Sequence, residues 1–408
     1  MIGMREEMVR AAKAANLEPL LKKESFCDPC LGRLFGRIGT GFTNLERGRT
    51  IREGLRLDEM LTCSLCGNLM DEIPKFAKLV EKALSEYECE TFLIGSRVDD
   101  EIAEKEESLW SELGLEFAEP IKTEINRETG KLVEKSTSKT VDFERPDIMA
   151  IVDTRFDFVQ LQVNPLFVYG KYRKLKRGIP QTKWPCRECM GKGCERCGNT
   201  GKMYPTSVEE IVVTPFLEQT DGVRASFHGM GREDVDALML GNGRPFVVEV
   251  KEPKRRTIDF GVIQEHINQS GTVEVESLRP SNRREMVRMK EARPTKTYSL
   301  KVTFQEPVEK ENLNEVVKSF KGKEVAQRTP NRVLHRRADL LRRRRILDMN
   351  AELLGPRIAE VVLTAEAGTY VKELISGDEG RTKPSLSEVL GVPAVVDELD
   401  VIQIHESE

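Results

Sequence analysis

No stretch of the 408 residues is apolar and long enough to span a bilayer, and the charged N-terminal segment has no apolar core of signal-peptide length. A membrane protein is therefore not expected, and a cytoplasmic location is. There is no P-loop and no Gly-x-Gly-x-x-Gly fingerprint, and Gly241-Asn242-Gly243 alone is too short to count as one. Chemistry on a bound nucleotide, redox or methyl-donor cofactor is not called for. Apart from paired cysteines the chain has no internal repeat, and it has no long low-complexity run. The formal net charge of −4 also lacks the basic excess of a simple nucleic-acid binder.

What is present begins with size and polarity. Length predicts two to four domains, and an apolar share of 39% suffices for packed cores. Charged residues reach 32%, against roughly 25% in an average soluble domain. Hydrophobic periodicity predicts helices over 5–23, 45–57 and 74–87, and a strand at 91–94. An acidic helix follows within 98–119, with Asp99, Asp100, Glu101, Glu104, Glu106 and Glu107 as a solvated face. Asn126 to Gly130 reads as a turn between two strands, and 147–153 and 157–164 read as two more. From Ser207 onward strands are expected at 224–228, 244–250, 272–278, 296–304, 357–366 and 394–404. Helices are expected near 207–219, 259–269, 309–319, 369–376 and 384–390. The fold class is α+β, multidomain.

The nine cysteines carry the first chemical signal. Cys186-x2-Cys189-x4-Cys194-x2-Cys197 lies in the glycine-rich run CRECMGKGCERCGNTGK. Each C-x2-C turn offers two thiolates, and glycine lets the backbone amides bend toward the sulfurs. Cys27, Cys30, Cys63 and Cys66 form a second set across a spacer of thirty-two residues, which would clip two helical segments together. Redox disulfides compete for the same spacing, and a reducing compartment disfavours them. Two structural zinc ions and no organic cofactor are expected, with Cys89 left over as a small apolar packing residue.

Charge is segregated along the chain. Residues 328–345 hold Arg328, Arg332, Arg336, Arg337, His335 and the run Arg342 to Arg345 against one acid, Asp339. Guanidinium groups at this density suit phosphates, and too few acids lie nearby to make the run a salt-bridged helix face. Residues 169–184 interleave Lys171, Arg173, Lys174, Lys176, Arg177 and Lys183 with Tyr169, Tyr172 and Trp184. Those aromatics either stack on unpaired bases or anchor a core. His228-Gly229-Met230-Gly231-Arg232-Glu233-Asp234-Val235-Asp236 follows a strand pattern with two glycines, then acids beside an arginine. Such a loop can hold a carboxylate at the floor of a cleft, although an aspartate after glycine is more often a turn or helix cap.

Gly231-Arg232-Glu233-Asp234 resembles the glycine-arginine-x-aspartate stretch around the nucleophile of tRNA pseudouridine synthases. The longer GREDVDALMLGNGRPFVVEV is similar to the archaeal and eukaryotic tRNA pseudouridine(54/55) synthase family. Lys296-Thr297-Tyr298 resembles that family's lysine-x-tyrosine strand, whose tyrosine packs on the target base. Gly368-Thr369-Tyr370-Val371-Lys372 resembles its strand-to-helix turn, whose basic residue pairs with the catalytic aspartate. Residues 327–337 resemble its RNA-contacting loop, and the likeness extends through Asn164-Pro165-Leu166 and Gly178-Ile179-Pro180-Gln181-Thr182. The resemblance implies a mixed-sheet catalytic domain of the pseudouridine-synthase type at 207–408 and a THUMP-like RNA-binding domain at 72–167. Residues 1–71 would be a helical zinc-binding segment and 168–206 a basic connector carrying a four-cysteine insert of zinc-ribbon type. It implies Asp234 as nucleophile, with Tyr298 and Lys372 catalytic. Arg232, Tyr298, Tyr370, Arg328, Arg332, Arg336 and Arg337 would contact RNA. The substrate would be tRNA, modified at T-loop positions 54 and 55, with no membrane and no obligate protein partner.

The reaction needs little else. The N-glycosidic bond breaks, the base turns, and C5 rejoins C1′, which one nucleophilic carboxylate can manage. Two other classes fit parts of the chain. Asp236 followed by Glu249-Val250-Lys251 mimics the acid…acid-x-lysine pattern of magnesium nucleases. A non-catalytic RNA-binding zinc protein would use the cysteines and arginines alone.

Overall fold

The computed structural model describes residues 2–21, 23–38, 40–58 and 62–406, so Lys22, at the end of the expected first helix, lies outside the described residues. The chain divides into two compact units. One comprises the residues up to Pro165 together with Glu252–Arg256, and the other comprises Leu166–Lys251 and the chain from Thr257 onward.

In the first unit, helices α1 (Ile2–Ala14), α2 (Leu17–Leu21), α3 (Asp28–Arg33) and α4 (Asn44–Leu55) precede α5 (Ile73–Leu84). Thr43 caps α4 through a reciprocal box with Glu46, satisfying two orphan amides. Helices α3 and α4 cross on glycines: a Cβ on Gly32 would lie 1.8 Å from the Asn44 carbonyl oxygen. Strand β1 (Thr91–Arg97), α6 (Asp100–Leu113), α7 (Ile121–Ser136), β2 (Thr140–Val141), β3 (Ile148–Asp153) and β4 (Phe158–Val163) follow. The strands form a mixed sheet in the order β2-β1-β3-β4. Helix α5 buries Ile73, Phe76, Ala77, Val80 and Leu84, a helical stripe, toward the core beneath it.

Two expectations fail here. Asn126 to Gly130 is no turn but the middle of α7. Gly130 is buried there with Val141 and Ile94 within van der Waals reach of its missing Cβ, so the glycine serves close packing of helix on sheet. Glu106 is not on a solvated face either. It is buried, pairs with the buried Arg33, and accepts the Ile121 amide at 3.1 Å.

The second unit is built on a ten-stranded mixed sheet. Its strands are β5 (Leu166–Lys174), β6 (Arg224–Gly229), β7 (Leu238–Lys251), β8 (Val273–Pro280), β9 (Thr295–Phe304), β10 (Glu324–Arg328), β11 (Leu341–Gly355), β12 (Ile358–Ala365), β13 (Thr382–Lys383) and β14 (Ala394–His405). Their order is β13-β10-β11-β12-β9-β14-β7-β5-β8, with β6 on β7. Helices α8 (Val208–Thr220), α9 (Phe260–Asn268), α10 (Arg283–Glu291), α11 (Lys310–Ser319), α12 (Val371–Ser376) and α13 (Leu386–Leu390) complete it. Val247, Val248 and Val250 of β7 are fully buried, so both faces of this strand are covered. Strand β7 meets β14 in parallel at Leu238 and Met239 and meets β6 from Phe246 to Lys251. The β6–β7 connection, residues 230–237, therefore leaves the sheet beside that meeting with β14. Gly241, at φ +59°, lets the two strands close: a Cβ there would lie 1.7 Å from the Ile402 carbonyl oxygen.

Candidate active site

Buried side chains hold the 230–237 connection from below. Lys174 of β5 is fully buried and donates to the carbonyls of Ile179 (2.9 Å), Asp234 (3.1 Å) and Val235 (3.2 Å). Arg244 of β7 donates to the Met230 carbonyl at 2.7 Å and pairs with Glu233 at 3.0 Å, both side chains having no solvent exposure. The Tyr172 hydroxyl donates to Glu233 at 2.8 Å and accepts from Gln181 Nε2 at 2.8 Å, whose other hydrogen reaches the Gly231 carbonyl at 3.0 Å. Burial lowers the Lys174 pKa and pushes Tyr172 well up, with the Glu233 charge adding to the latter. Breaking one partner out of such a cluster would strand a charge in the core. Glu233 thus faces inward while Asp234, 45% exposed, faces outward.

Asp234 opens into a cleft of about 450 Å³. Its walls bring together Arg232, Tyr298, Arg332, Arg337, Tyr370 and Lys372, together with Arg244 and Lys296. Tyr298 of β9 is buried, and burial pushes its phenol up to about 12. Lys296, two residues along the same strand face, is brought down to about 8, by burial first and by the Arg244 charge second. Arg332, in the short 3₁₀ turn Asn331–Arg336, donates to Asp234 at 3.4 Å and to the buried Glu373 at 2.7 Å. Lys372 of α12 pairs with Asp236, not Asp234, at 2.7 Å. Against the opposing effect of burial, that ammonium holds the Asp236 carboxyl below its usual range. The expected Lys372–Asp234 pair is thus replaced, because Arg332, anchored on Glu373, already takes Asp234. Arg337 donates to the Tyr370 hydroxyl at 3.2 Å. Arg328 pairs with Asp339 at 3.4 Å and is not among the residues lining the cleft. The side chain of Arg336 lies outside the described residues.

Two sequence signals gain a structural context. The run Arg342 to Arg345, read as a phosphate-binding surface, lies on β11, so its side chains alternate between faces. In the basic, aromatic segment Tyr169 and Tyr172 are core residues on β5, with Arg279 4.1 Å above the Tyr169 ring. Arg173 is matched by Glu274 and Glu276, and Arg177 by Glu398 and Asp400. Among the aromatics of that segment, Trp184 alone reaches the site, with the Arg232 guanidinium 5.2 Å from its ring centre.

Each cysteine quartet converges, all four sulfurs lying within 4.8 Å of one another and none forming a disulfide. Distances of 3.7 Å (Cys27–Cys66, Cys194–Cys197) and 3.9 Å (Cys186–Cys194, Cys189–Cys197) match the roughly 3.8 Å edge of a tetrahedron with 2.3 Å metal–sulfur bonds. Amides of Gly193 and Gly201 point at Cys189 and Cys197 sulfurs at 3.2 Å, as thiolate ligands favour. Both quartets fit a metal ion. Cys89 is buried and stands apart from them. The nuclease pattern does not assemble: Asp236 takes Lys372, Glu249 takes His228 at 3.0 Å, and no cluster of three ligands includes either among the described residues.

The mixed-sheet domain presents Asp234 from a Gly-Arg-Glu-Asp loop beside a tyrosine-lined cleft, the setting in which the loop resembles that of pseudouridine synthases. The family described as "Pus10, C-terminal" matches residues 167–405, and "Pus10 THUMP domain, archaeal" matches 76–153. The "tRNA pseudouridine synthase Pus10" of Methanothrix thermoacetophila is 42% identical over 94% of this chain and 93% of that relative. The protein of the same name from Pyrococcus furiosus is 44% identical over 94% and 96%. The chain belongs to the Pus10 family. A solved Cbf5–Nop10–Gar1 complex is similar at 20% identity over 48% of this chain and 46% of that chain, with a TM-score of 0.30, too slight to bear on the site.

Proposed function

We propose that this chain isomerises uridine to pseudouridine in tRNA, with Asp234 as the nucleophile. The observation that carries the reading is the opposed environment of two adjacent acids. Glu233 is spent on the buried Arg244 and Tyr172, which leaves Asp234 presented to a cleft walled by Tyr298 and Tyr370. Family membership supports the reaction, and the tRNA T-loop positions 54 and 55 rest on the resemblance of the loop and strand motifs. A flipped uracil stacks on Tyr298, whose phenol keeps its proton at neutral pH. Asp234 bonds to the sugar or the base, the N1–C1′ bond breaks, C5 joins C1′ and the Asp234 bond breaks again; one proton leaves C5 and one arrives at N1, so no co-reactant is consumed. Arg332 orients Asp234, and Lys372 braces the same loop through Asp236.

Arg232 and Arg337 line the cleft where phosphates would enter, Arg337 beside Tyr370 and Arg232 beside Trp184. The THUMP-like part at 72–167 adds tRNA affinity in the cytoplasm, residues 1–71 and 168–206 contribute the cysteine quartets, and 207–408 carry the chemistry. Zinc is the ion these all-thiolate sets suit, as a structural element with every position filled. The test is an unmodified tRNA transcript incubated with protein without added magnesium and then mapped for pseudouridine. Intact RNA carrying pseudouridine in the T-loop is expected. Cleaved RNA, or intact RNA without pseudouridine, overturns the reading.

A further inference from the structure

Asp234 lines two adjoining cavities. The main cleft also holds Tyr298 and Tyr370. The second, of about 230 Å³, shares Arg232, Glu233, Asp234 and Arg337 with the cleft and adds Trp184 and Val235. The reacting base has its aromatic wall in the main cleft, so the second cavity is not needed for the chemistry. Its composition is nonetheless that of a nucleotide site: one aromatic face and two exposed guanidinium groups, beside the carboxylate at which the chain must be held.

The Trp184 wall is built rather than incidental. Its ring packs edge-on against Tyr204 at 5.5 Å and 79°. Its carbonyl accepts the Met203 amide at 2.9 Å, and the next residue, Pro185, bridges to Lys202. The Cys186 amide then donates to the Gly201 carbonyl at 2.7 Å, so both ends of the cysteine quartet are tied directly behind the indole. The quartet therefore fixes a single aromatic ring, and that ring meets Arg232 of the loop bearing Asp234.

We propose that this side cavity is a subsite for the nucleotide adjacent to the target uridine, with its base on the Trp184 ring and its phosphodiester on Arg232 and Arg337. The subsite rests on the reading of the neighbouring cleft as a uridine site. Seating two successive nucleotides in adjoining cavities that share Asp234 would hold the backbone beside the carboxylate and so position C1′. It would also make the enzyme sensitive to the neighbour being a stacked base, without a hydrogen-bond code for its identity.

The test uses the full chain and a synthetic T-arm hairpin RNA, intact or with an abasic residue on one or the other side of the target uridine. Affinity is measured for the wild type, Trp184→Ala and Trp184→Phe, and pseudouridine formation is followed in parallel. Stacking of one base on an aromatic ring corresponds to roughly a five- to 150-fold effect on affinity. Trp184→Ala is expected to weaken binding of intact hairpin within that range and Trp184→Phe to restore most of it. With the abasic residue on the correct side, wild type and Trp184→Ala should bind alike. An equal loss on intact and abasic RNA, or no loss on either, overturns the subsite, and metal content equal to wild type separates this from unfolding. Failure of the uridine reading would instead appear as wild-type protein that makes no pseudouridine in the intact hairpin.

Discussion

Along the loop after β6, Glu233 turns inward onto Arg244 and Tyr172, while its neighbour Asp234 turns into the cleft. Both side chains of the ion pair below are fully shielded from bulk solvent. Glu233→Gln keeps the shape but leaves the Arg244 guanidinium buried without a counter-charge, and removing one partner of a buried pair costs about 3–5 kcal/mol. Denaturant unfolding should register that loss, whereas a change below about 1 kcal/mol would mean that the pair is not holding the loop. The Asp234 loop was singled out through the resemblance of a short, contiguous motif, since its residue pattern alone reads more often as a turn or helix cap. Lys174 and Glu233 were not, since Lys174 bonds to carbonyls some sixty positions away and neither leaves a local pattern. Lys174 read as one more cation in a basic stretch, and only burial separates it from the rest.

At the scale of elements, β11 changes what the arginine run can do. Arg342 donates to Thr329 at 2.9 Å and lies 6.0 Å from the Tyr370 ring, and Arg344 lies against Gly368, so these two sit next to cleft-lining residues without lining the cleft themselves. Arg343 points the other way and pairs with Glu324 at 2.8 Å. Replacing Arg342 and Arg344 with alanine should flatten the salt dependence of tRNA binding by about one to two units of slope, at roughly 0.7–0.9 per phosphate contact. Replacing Arg343 and Arg345 should leave it near wild type. Equal slopes for the two double variants would show that both faces meet RNA or that neither does. Four consecutive arginines hide the alternation by which a strand is recognised, which is why β11 escaped the sequence while β7, β9 and β14 did not. Helix α7 was misread for a related reason, its buried Gly130 following Asn126 in what looks like a turn.

For the whole molecule, the two units each carry one convergent cysteine quartet. Metal analysis of the full chain is expected to return two zinc ions. Cys194→Ser should lose one of them and lower the thermal stability of the protein, because structural metal binding is coupled to folding. Retention of two ions, or oxidised thiols with none, would contradict this. The quartets could be paired from spacing alone, and both pairings hold in three dimensions. Spacing did not reveal that the chain on the far side of the second quartet returns to Trp184 through Met203 and Tyr204.

The central claim is that Asp234, rather than Asp236, performs the chemistry in this cleft. Asp236 is held by Lys372 and lies outside the cleft lining, whereas Asp234 lines both cavities. The most direct measurement compares pseudouridine formation in a tRNA transcript by Asp234→Asn and Asp236→Asn, each matched to wild type for folding and tRNA affinity. Asp234→Asn should bind tRNA and form no detectable pseudouridine, while Asp236→Asn retains measurable turnover. Full activity in Asp234→Asn, or a loss confined to Asp236→Asn, would contradict the account.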